Sequence, residues 1–147
     1  FSQGLIEHFK DPADIIQEQL RVLKDEGLLI IDVPQKFNYY TIYKHRKISK
    51  GLWPWGWEIE YSYFSLKKLG SRFGLELIDR CGHGYGSIFG LGYVRYYPQE
   101  LRKHISIYNN YFLGVIQKLY DRLFVFLRKK YGYLFMQSIA VVYKKKK

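Results

Sequence analysis

The chain has 147 residues, of which 48% are apolar and 19% aromatic, with one cysteine and a formal charge of +11 from 24 Lys and Arg against 13 Asp and Glu. Such apolar content excludes a disordered chain, and a lone thiol excludes a disulfide framework or a multi-thiolate zinc site. The length suits one ordinary domain with its own core, and the charge suggests an acidic partner such as nucleic acid or an anionic membrane surface. The charge is unevenly spread, however. Residues 1–100 hold 13 basic and 12 acidic residues, whereas residues 101–147 hold 11 basic residues and only Asp121. Four of those charges, Lys144 to Lys147, read as a solvated tail.

Phe1 to Leu5 read as the end of a strand running into a loop. No basic leader or small-residue cleavage site precedes it, so a signal peptide is not expected and a processed or truncated product is. Asp11 suits a helix N-cap and Pro12 the first helical position. Ile15, Ile16, Leu20 and Leu23 then recur at helical spacing, and Gly27 is placed to end the helix in a left-handed conformation. Leu28 to Val33 is a short apolar run between Gly27 and Pro34, the pattern of a parallel strand buried on both faces.

Residues 35–63 carry aromatics and charge without clear periodicity, and predict a long connection with a short helix near Tyr39 to His45. Ser65 is placed to cap the next helix, with Leu66, Leu69 and Phe73 facing inward and Gly74 at its end. Leu75 to Asp79 reads as a strand. Gly82, Gly84, Gly86, Gly90 and Gly92 mark a surface loop, because no helix opens directly after them as a nucleotide-binding loop requires. A long helix opens near Pro98, is apolar over much of its circumference and ends near Gly132; Tyr133 to Tyr143 reads as a final strand. Residues 105–127 come nearest to a membrane span, but Asn109, Asn110, Lys118, Asp121 and Arg122 interrupt them.

This alternation predicts an α/β sheet with helical crossovers. Ligands of such sheets bind at the carboxyl ends of parallel strands, here Ser2 to His8 and Pro34 to Tyr40. His8 is the candidate general base, since an unperturbed imidazole titrates near neutrality; the alternative is that it only hydrogen-bonds the loop. The rings of Tyr39, Tyr40, Tyr43, Trp53, Trp55 and Trp57, with Glu58, either wall an acceptor site or pack beneath the long loop. Cys81 has no partner thiol, and His45, His83 and His104 are too scattered to propose a metal-ligand set.

Residues 2–12, Ser-Gln-Gly-Leu-Ile-Glu-His-Phe-Lys-Asp-Pro, and residues 21–34, Arg-Val-Leu-Lys-Asp-Glu-Gly followed by the apolar run to Pro34, resemble class I S-adenosylmethionine-dependent methyltransferases. The closest branch is typified by the ubiquinone-biosynthesis enzymes. It carries a strand-four exit ending in Glu-His, an Asp-Pro-capped helix and an Arg-Val-Leu-Lys-x-x-Gly turn into strand five. The resemblance implies that residues 1–147 are the C-terminal half of a Rossmann-like methyltransferase domain, strands four to seven, the last antiparallel. The glycine-rich cofactor loop and the ribose-binding acid would lie upstream. Residues 35–63 would be an acceptor-site insertion, and residues 82–132 a second, basic, aromatic and helical over 93–132.

The resemblance also implies roles. Ser2, Gln3, Gly4 and Leu5 would lie along S-adenosylmethionine, and Glu7, Pro34, Tyr39, Tyr40, Trp57 and Glu58 would contact the acceptor. Some relatives carry a metal-binding carboxylate three residues before this Glu; Gly4 stands there, so no metal is expected. The implied activity is methyl transfer to a small-molecule, sugar or lipid-linked acceptor. One rival is a non-catalytic methyltransferase-like partner subunit. Another is a nucleic-acid methyltransferase, disfavoured because the chain lacks an Asn/Asp-Pro-Pro-Tyr signature and its excess charge sits in one helix and tail. The helix at 101–131 is read three ways: as a cap over the acceptor site, as a homodimer surface, or as a peripheral contact with an anionic membrane. The expected location is cytoplasmic, peripheral at the membrane.

Overall fold

A computed structural model describes residues 1–84 apart from Trp55, and residues 122–145 apart from Phe124. The glycine-rich segment beyond Gly84 and most of the predicted long helix lie outside the described residues. So do the side chains of Tyr39, Tyr40 and Tyr43. The described residues form a mixed α/β fold around a four-stranded sheet.

Strand β1 (Ser2–Gln3) runs parallel to β2 (Leu28–Pro34), pairing Ser2 with Ile31. Between them lies helix α1 (Ala13–Val22). It starts one residue later than expected. Pro12 occupies the N-cap, and Asp11 Oδ1 accepts the Ala13 N–H at 3.1 Å from one position further out. Ile16 is fully buried, and Ile15, Leu20 and Leu23 pack against the core, as their spacing predicts.

The exit from α1 differs from expectation. The helix stops at Val22, and the left-handed residue is Glu26 (φ 61°), not Gly27. Gly27 is required for another reason. Its N–H bonds to Lys24 O at 2.9 Å, and a Cβ there would fall 2.6 Å from that same oxygen. The turn is too tight for a side chain.

Helix α2 (Tyr39–Ser49) is longer than predicted. Helix α3 (Tyr63–Arg72) is capped by Ser62 rather than Ser65. Ser65 sits at the third helical position and returns the bond: its N–H donates to Ser62 Oγ at 3.1 Å, and its Oγ accepts the Ser62 N–H at 2.8 Å. This reciprocal arrangement satisfies two otherwise orphaned donors. Gly74 (φ 65°) ends the helix as expected.

Strand β3 (Leu75–His83) runs four residues beyond its predicted end, with a register irregularity between Leu77 and Asp79. Residues 122–131 are helical where described. Strand β4 (Ser138–Lys145) starts later than the predicted Tyr133, because a 3-10 turn (Gly132–Leu134) occupies the first part of that stretch. Strand β4 is inserted between β2 and β3, antiparallel to both, giving the order β1-β2-β4-β3.

Leu29, Ile31 and Val33 of β2 meet Ile139, Val141 and Tyr143 of β4, and Leu66 and Leu69 of α3 complete the core. On the other face of β2 Asp32 is buried, Ile30 is partly buried and Leu28 is exposed, so that face is covered only toward the end of the strand. Among the described residues no helix is long and apolar enough to cross a membrane.

Tyr143 joins α3 to the sheet. Its hydroxyl donates to Leu66 O at 2.7 Å, and its ring lies against Gly70 so closely that any Cβ there would overlap it. Gly70→Ala should therefore destabilise the fold by about 1–3 kcal/mol through overpacking. Tyr143→Phe should cost about 1 kcal/mol through the loss of that hydrogen bond. Urea unfolding of the two variants checks both values; a neutral Gly70→Ala would refute this contact.

Candidate functional site

Parallel β1 and β2 deliver their carboxyl ends to the same edge of the sheet. The chain leaves β1 through Gly4 (φ 63°), whose N–H bonds to Asp32 O at 3.1 Å, and enters a 3-10 turn (Ile6–His8) anchored by buried Ile6. Residues 57–61 run back alongside both exits. The Ile59 N–H bonds to Glu7 O at 2.9 Å, and the Tyr61 N–H to Pro34 O at 3.0 Å. The Tyr61 hydroxyl donates to Ile6 O at 3.3 Å. Burial pushes that phenol up to about 12, helped by the carboxylates of Glu7 and Asp11.

These segments enclose a cavity of about 290 Å³. The β1 exit contributes Gly4, Glu7 and His8, and Pro34 comes from the end of β2. Helix α2 contributes Thr41 and Lys44; Trp53 and Glu58 come from the following loop, and Gln137 and Ser138 from the start of β4.

A buried charge cluster forms one wall. The Lys44 side chain is 2% exposed. Its Nζ donates to Glu58 Oε2 at 2.7 Å and lies 2.7 Å from Glu60 Oε1, close but not aligned as a hydrogen bond. Trp53 Nε1 donates to Glu58 Oε1 at 2.9 Å. His45 Nε2 is 2.6 Å from Glu60 Oε2 at the outer edge. Desolvation pushes the Glu58 carboxyl up, but the bonds from Lys44 and Trp53 outweigh it, and its pKa is net lowered.

Glu7 has no such partner. It is 3% exposed, and its Oε2 has no hydrogen-bond partner. Desolvation raises its pKa, assisted by the nearby charge of Glu58 and opposed by its own backbone N–H, His8 and Lys44. His8 lies beside it with Nδ1 3.2 Å from Trp57 O. A carbonyl can only accept, so Nδ1 carries the proton and Nε2 of the neutral ring is left as an acceptor.

A second cavity, about 410 Å³, is lined by Asp79 to Gly82 of β3 and by Arg128 to Lys130. Although larger, it is the weaker candidate. Its charged side chains are exposed, and no buried polar atom is orphaned there among the described residues.

The residues singled out from the sequence are only partly brought together. Gly4, Glu7, His8, Pro34 and Glu58 line the first cavity. Ser2 is buried and its Oγ has no partner, but it does not line the cavity. Gln3 turns to Asp32, donating to Oδ2 at 3.0 Å, while His83 Nε2 sits 2.8 Å from Oδ1 of the same carboxylate. Leu5 is exposed and does not line the cavity. Trp57 meets His8 through its carbonyl; its side chain is 46% exposed and does not line this cavity. Trp55 and the side chains of Tyr39 and Tyr40 lie outside the described residues.

Lys44, Thr41, Glu60 and Gln137 were not legible as site residues. A lysine in an aperiodic stretch carries no burial signal until its carboxylates are seen around it. Among the described residues no group of three or more His, Cys, Asp or Glu side chains is placed to hold a metal ion. Compared with protein-family models and with curated proteins, the chain has no significant match.

Removing Lys44 should be costly, because Glu58 and Glu60 would remain as buried, uncompensated carboxylates. Lys44→Met should lose about 3–5 kcal/mol in urea unfolding, and adding Glu58→Gln and Glu60→Gln should restore part of it.

The two shifted carboxyls should act oppositely with pH. Glu7, with its raised pKa, contributes stability below pH 4.5 that is lost as pH rises through its folded value. Glu58, with its lowered pKa, contributes stability above pH 4.5 that is lost as pH falls through its folded value. Glu7→Gln should therefore gain on the parent as pH rises past 4.5, and Glu58→Gln should fall behind it. Unfolding free energies between pH 3 and 8, on the order of that window, check the signs.

Proposed function

We propose that this chain is the C-terminal half of a Rossmann-like methyltransferase domain, which moves the methyl group of S-adenosylmethionine to a small-molecule, sugar or lipid-linked acceptor. The observation that carries the reading is the final strand. Strand β4 runs antiparallel to both neighbours in an otherwise crossover-built sheet, the direction that the family resemblance implies for its last strand. The cavity at the shared carboxyl end of β1 and β2 supports it further, because ligands of such sheets bind there.

The residues present fit the cofactor. Gly4 leaves that side of the cavity bare, and a Cβ there would sit 3.7 Å from Glu7 Oε1. The buried Ser2 hydroxyl, two residues before Gly4 in the chain, is unpartnered, though Ser2 itself does not line the cavity. Ser2 and Gly4 would hold the cofactor, with Gln3 oriented away by its bond to Asp32. When bound, S-adenosylmethionine supplies an electrophilic methyl group. The chain's own residues then orient the acceptor, exclude water and take up its proton. His8 Nε2 is the proton acceptor, its tautomer set by Trp57 O. Closeness and alignment contribute the larger share of such rate enhancements.

Leu123, Val125 and Phe126 are exposed beside Arg122, Arg128, Lys129 and Lys130, which supports a peripheral contact with anionic lipid.

The protein that contains this chain should bind S-adenosylmethionine and S-adenosylhomocysteine in calorimetry. Gly4→Val should weaken both by about tenfold or more, a loss of about 1.4 kcal/mol at least. Absence of binding to either compound by the parent protein sinks the proposal.

A further inference from the structure

The carboxylate of Glu7 is the one charged group around the cavity whose surroundings leave it incomplete. Lys44 is committed to Glu58 and Glu60, both within 2.7 Å of its Nζ. His45 faces Glu60 from outside. Three buried carboxylates thus share one buried ammonium among the described residues, and Glu7 is the one left without a counter-ion. Its Oε2 is buried yet bonds to nothing, and the residue lines a cavity large enough for a small ligand group. A buried acceptor without a donor is costly, and a buried charge without a partner more so. The group that satisfies both is a cation carrying N–H donors.

We propose that Glu7 is the binding carboxylate for an ammonium group and that the acceptor taken by this site is an amine. The amine would give one N–H proton to His8 Nε2, so that its freed lone pair could form the N–C bond as the methyl–sulfur bond breaks and the thioether leaves. The assignment rests on the methyltransferase reading for the word acceptor; the ammonium site itself does not. Acidic ligands, carboxylates and phosphates, are rejected by Glu7 and Glu58, because Lys44, the lysine that lines the cavity among the described residues, is already paired. Trp53 also lines the cavity, held by its bond to Glu58, so an apolar stem beside the amine meets an indole. The groups facing Glu7 are His8 on its own turn, Glu58 and Lys44 across the cavity, and Tyr61 beneath it. An ammonium bound there holds Glu7 ionised where burial alone opposes ionisation.

An ammonium reaches the cavity from two sources, the acceptor or the amino acid portion of S-adenosylmethionine, and the test separates them. The protein that contains this chain is labelled with 13C at glutamate carboxyls, and the Glu7 signal is assigned by its loss in Glu7→Gln. Methylammonium chloride is titrated in, with sodium chloride and sodium acetate as matched controls. The expected result is a saturable shift of the Glu7 signal and a lowered titration midpoint with methylammonium alone. The response should persist with S-adenosylhomocysteine bound. An equal response to sodium chloride, or none, overturns the ammonium site. A response abolished by S-adenosylhomocysteine overturns the acceptor assignment. Glu7→Gln should weaken methylammonium binding by about tenfold or more, and unchanged affinity overturns the role of Glu7. Methylammonium binding without S-adenosylmethionine binding would instead remove the methyltransferase reading and leave the ammonium site standing.

Discussion

The buried ammonium of Lys44 is the constraint on which the site depends. Helix α2 brings this one side chain inward, and the loop after it must supply the carboxylates that neutralise it. Glu58 and Glu60 do so from a stretch that also pairs with the β1 and β2 exits through Ile59 and Tyr61. The loop is therefore pinned twice, by charge to α2 and by backbone bonds to the sheet. Pairing in a low dielectric gains strength only where geometry is good and the remaining lone pairs are met, and Trp53 meets one of them. Without this arrangement residues 50–60 would have no reason to close over the cavity rather than extend into solvent.

The sheet supplies the second half of the frame. Placing β4 between β2 and β3 sets the last described strand directly against β2, one strand away from β1. Side-chain amides reinforce that closure. Gln35 donates to Tyr133 O and Asn38 to Phe135 O, fastening the start of the loop to the turn that precedes β4. Gln137 and Ser138 reach the cavity only because of this placement. The aromatic stack around Arg80, with Tyr133 at 4.5 Å and Tyr63 at 4.9 Å, ties the same turn to α3 and β3.

What was legible beforehand follows from which forces act locally. The faces of α1 and α3, and the apolar runs of β2 and β4, follow from periodicity, because burial of one face imposes it. The misplacements are also local in origin. Ser62 and Ser65 both suit a cap, and only the folded geometry decides which is N-cap and which is third. Gly27 looked like a helix stop, but the close approach to Lys24 O, not handedness, demands a glycine there. Tyr133 to Gln137 resembles strand because aromatic and apolar residues continue unbroken; a 3-10 turn takes them up to let the chain reach the sheet. Glu7 and His8 stood out by their place at a strand exit. Lys44 and Glu60 did not, because a buried ion pair between a helix and a loop 14 or more residues apart leaves no periodic trace.

Net charge is a poor guide to what a cavity accepts. The chain carries +11 overall, yet the cavity wall has two carboxylates, Glu7 and Glu58, and a single lysine that is already neutralised. The basic excess lies in the last third of the sequence, yet among the residues that line the cavity that third contributes only the uncharged Gln137 and Ser138. Two separate electrostatic environments then coexist. An exposed basic, apolar helix end suits an anionic surface, where many weak, screened contacts add up. The cavity is governed by one uncompensated carboxylate at short range, where a single bound cation has the larger effect.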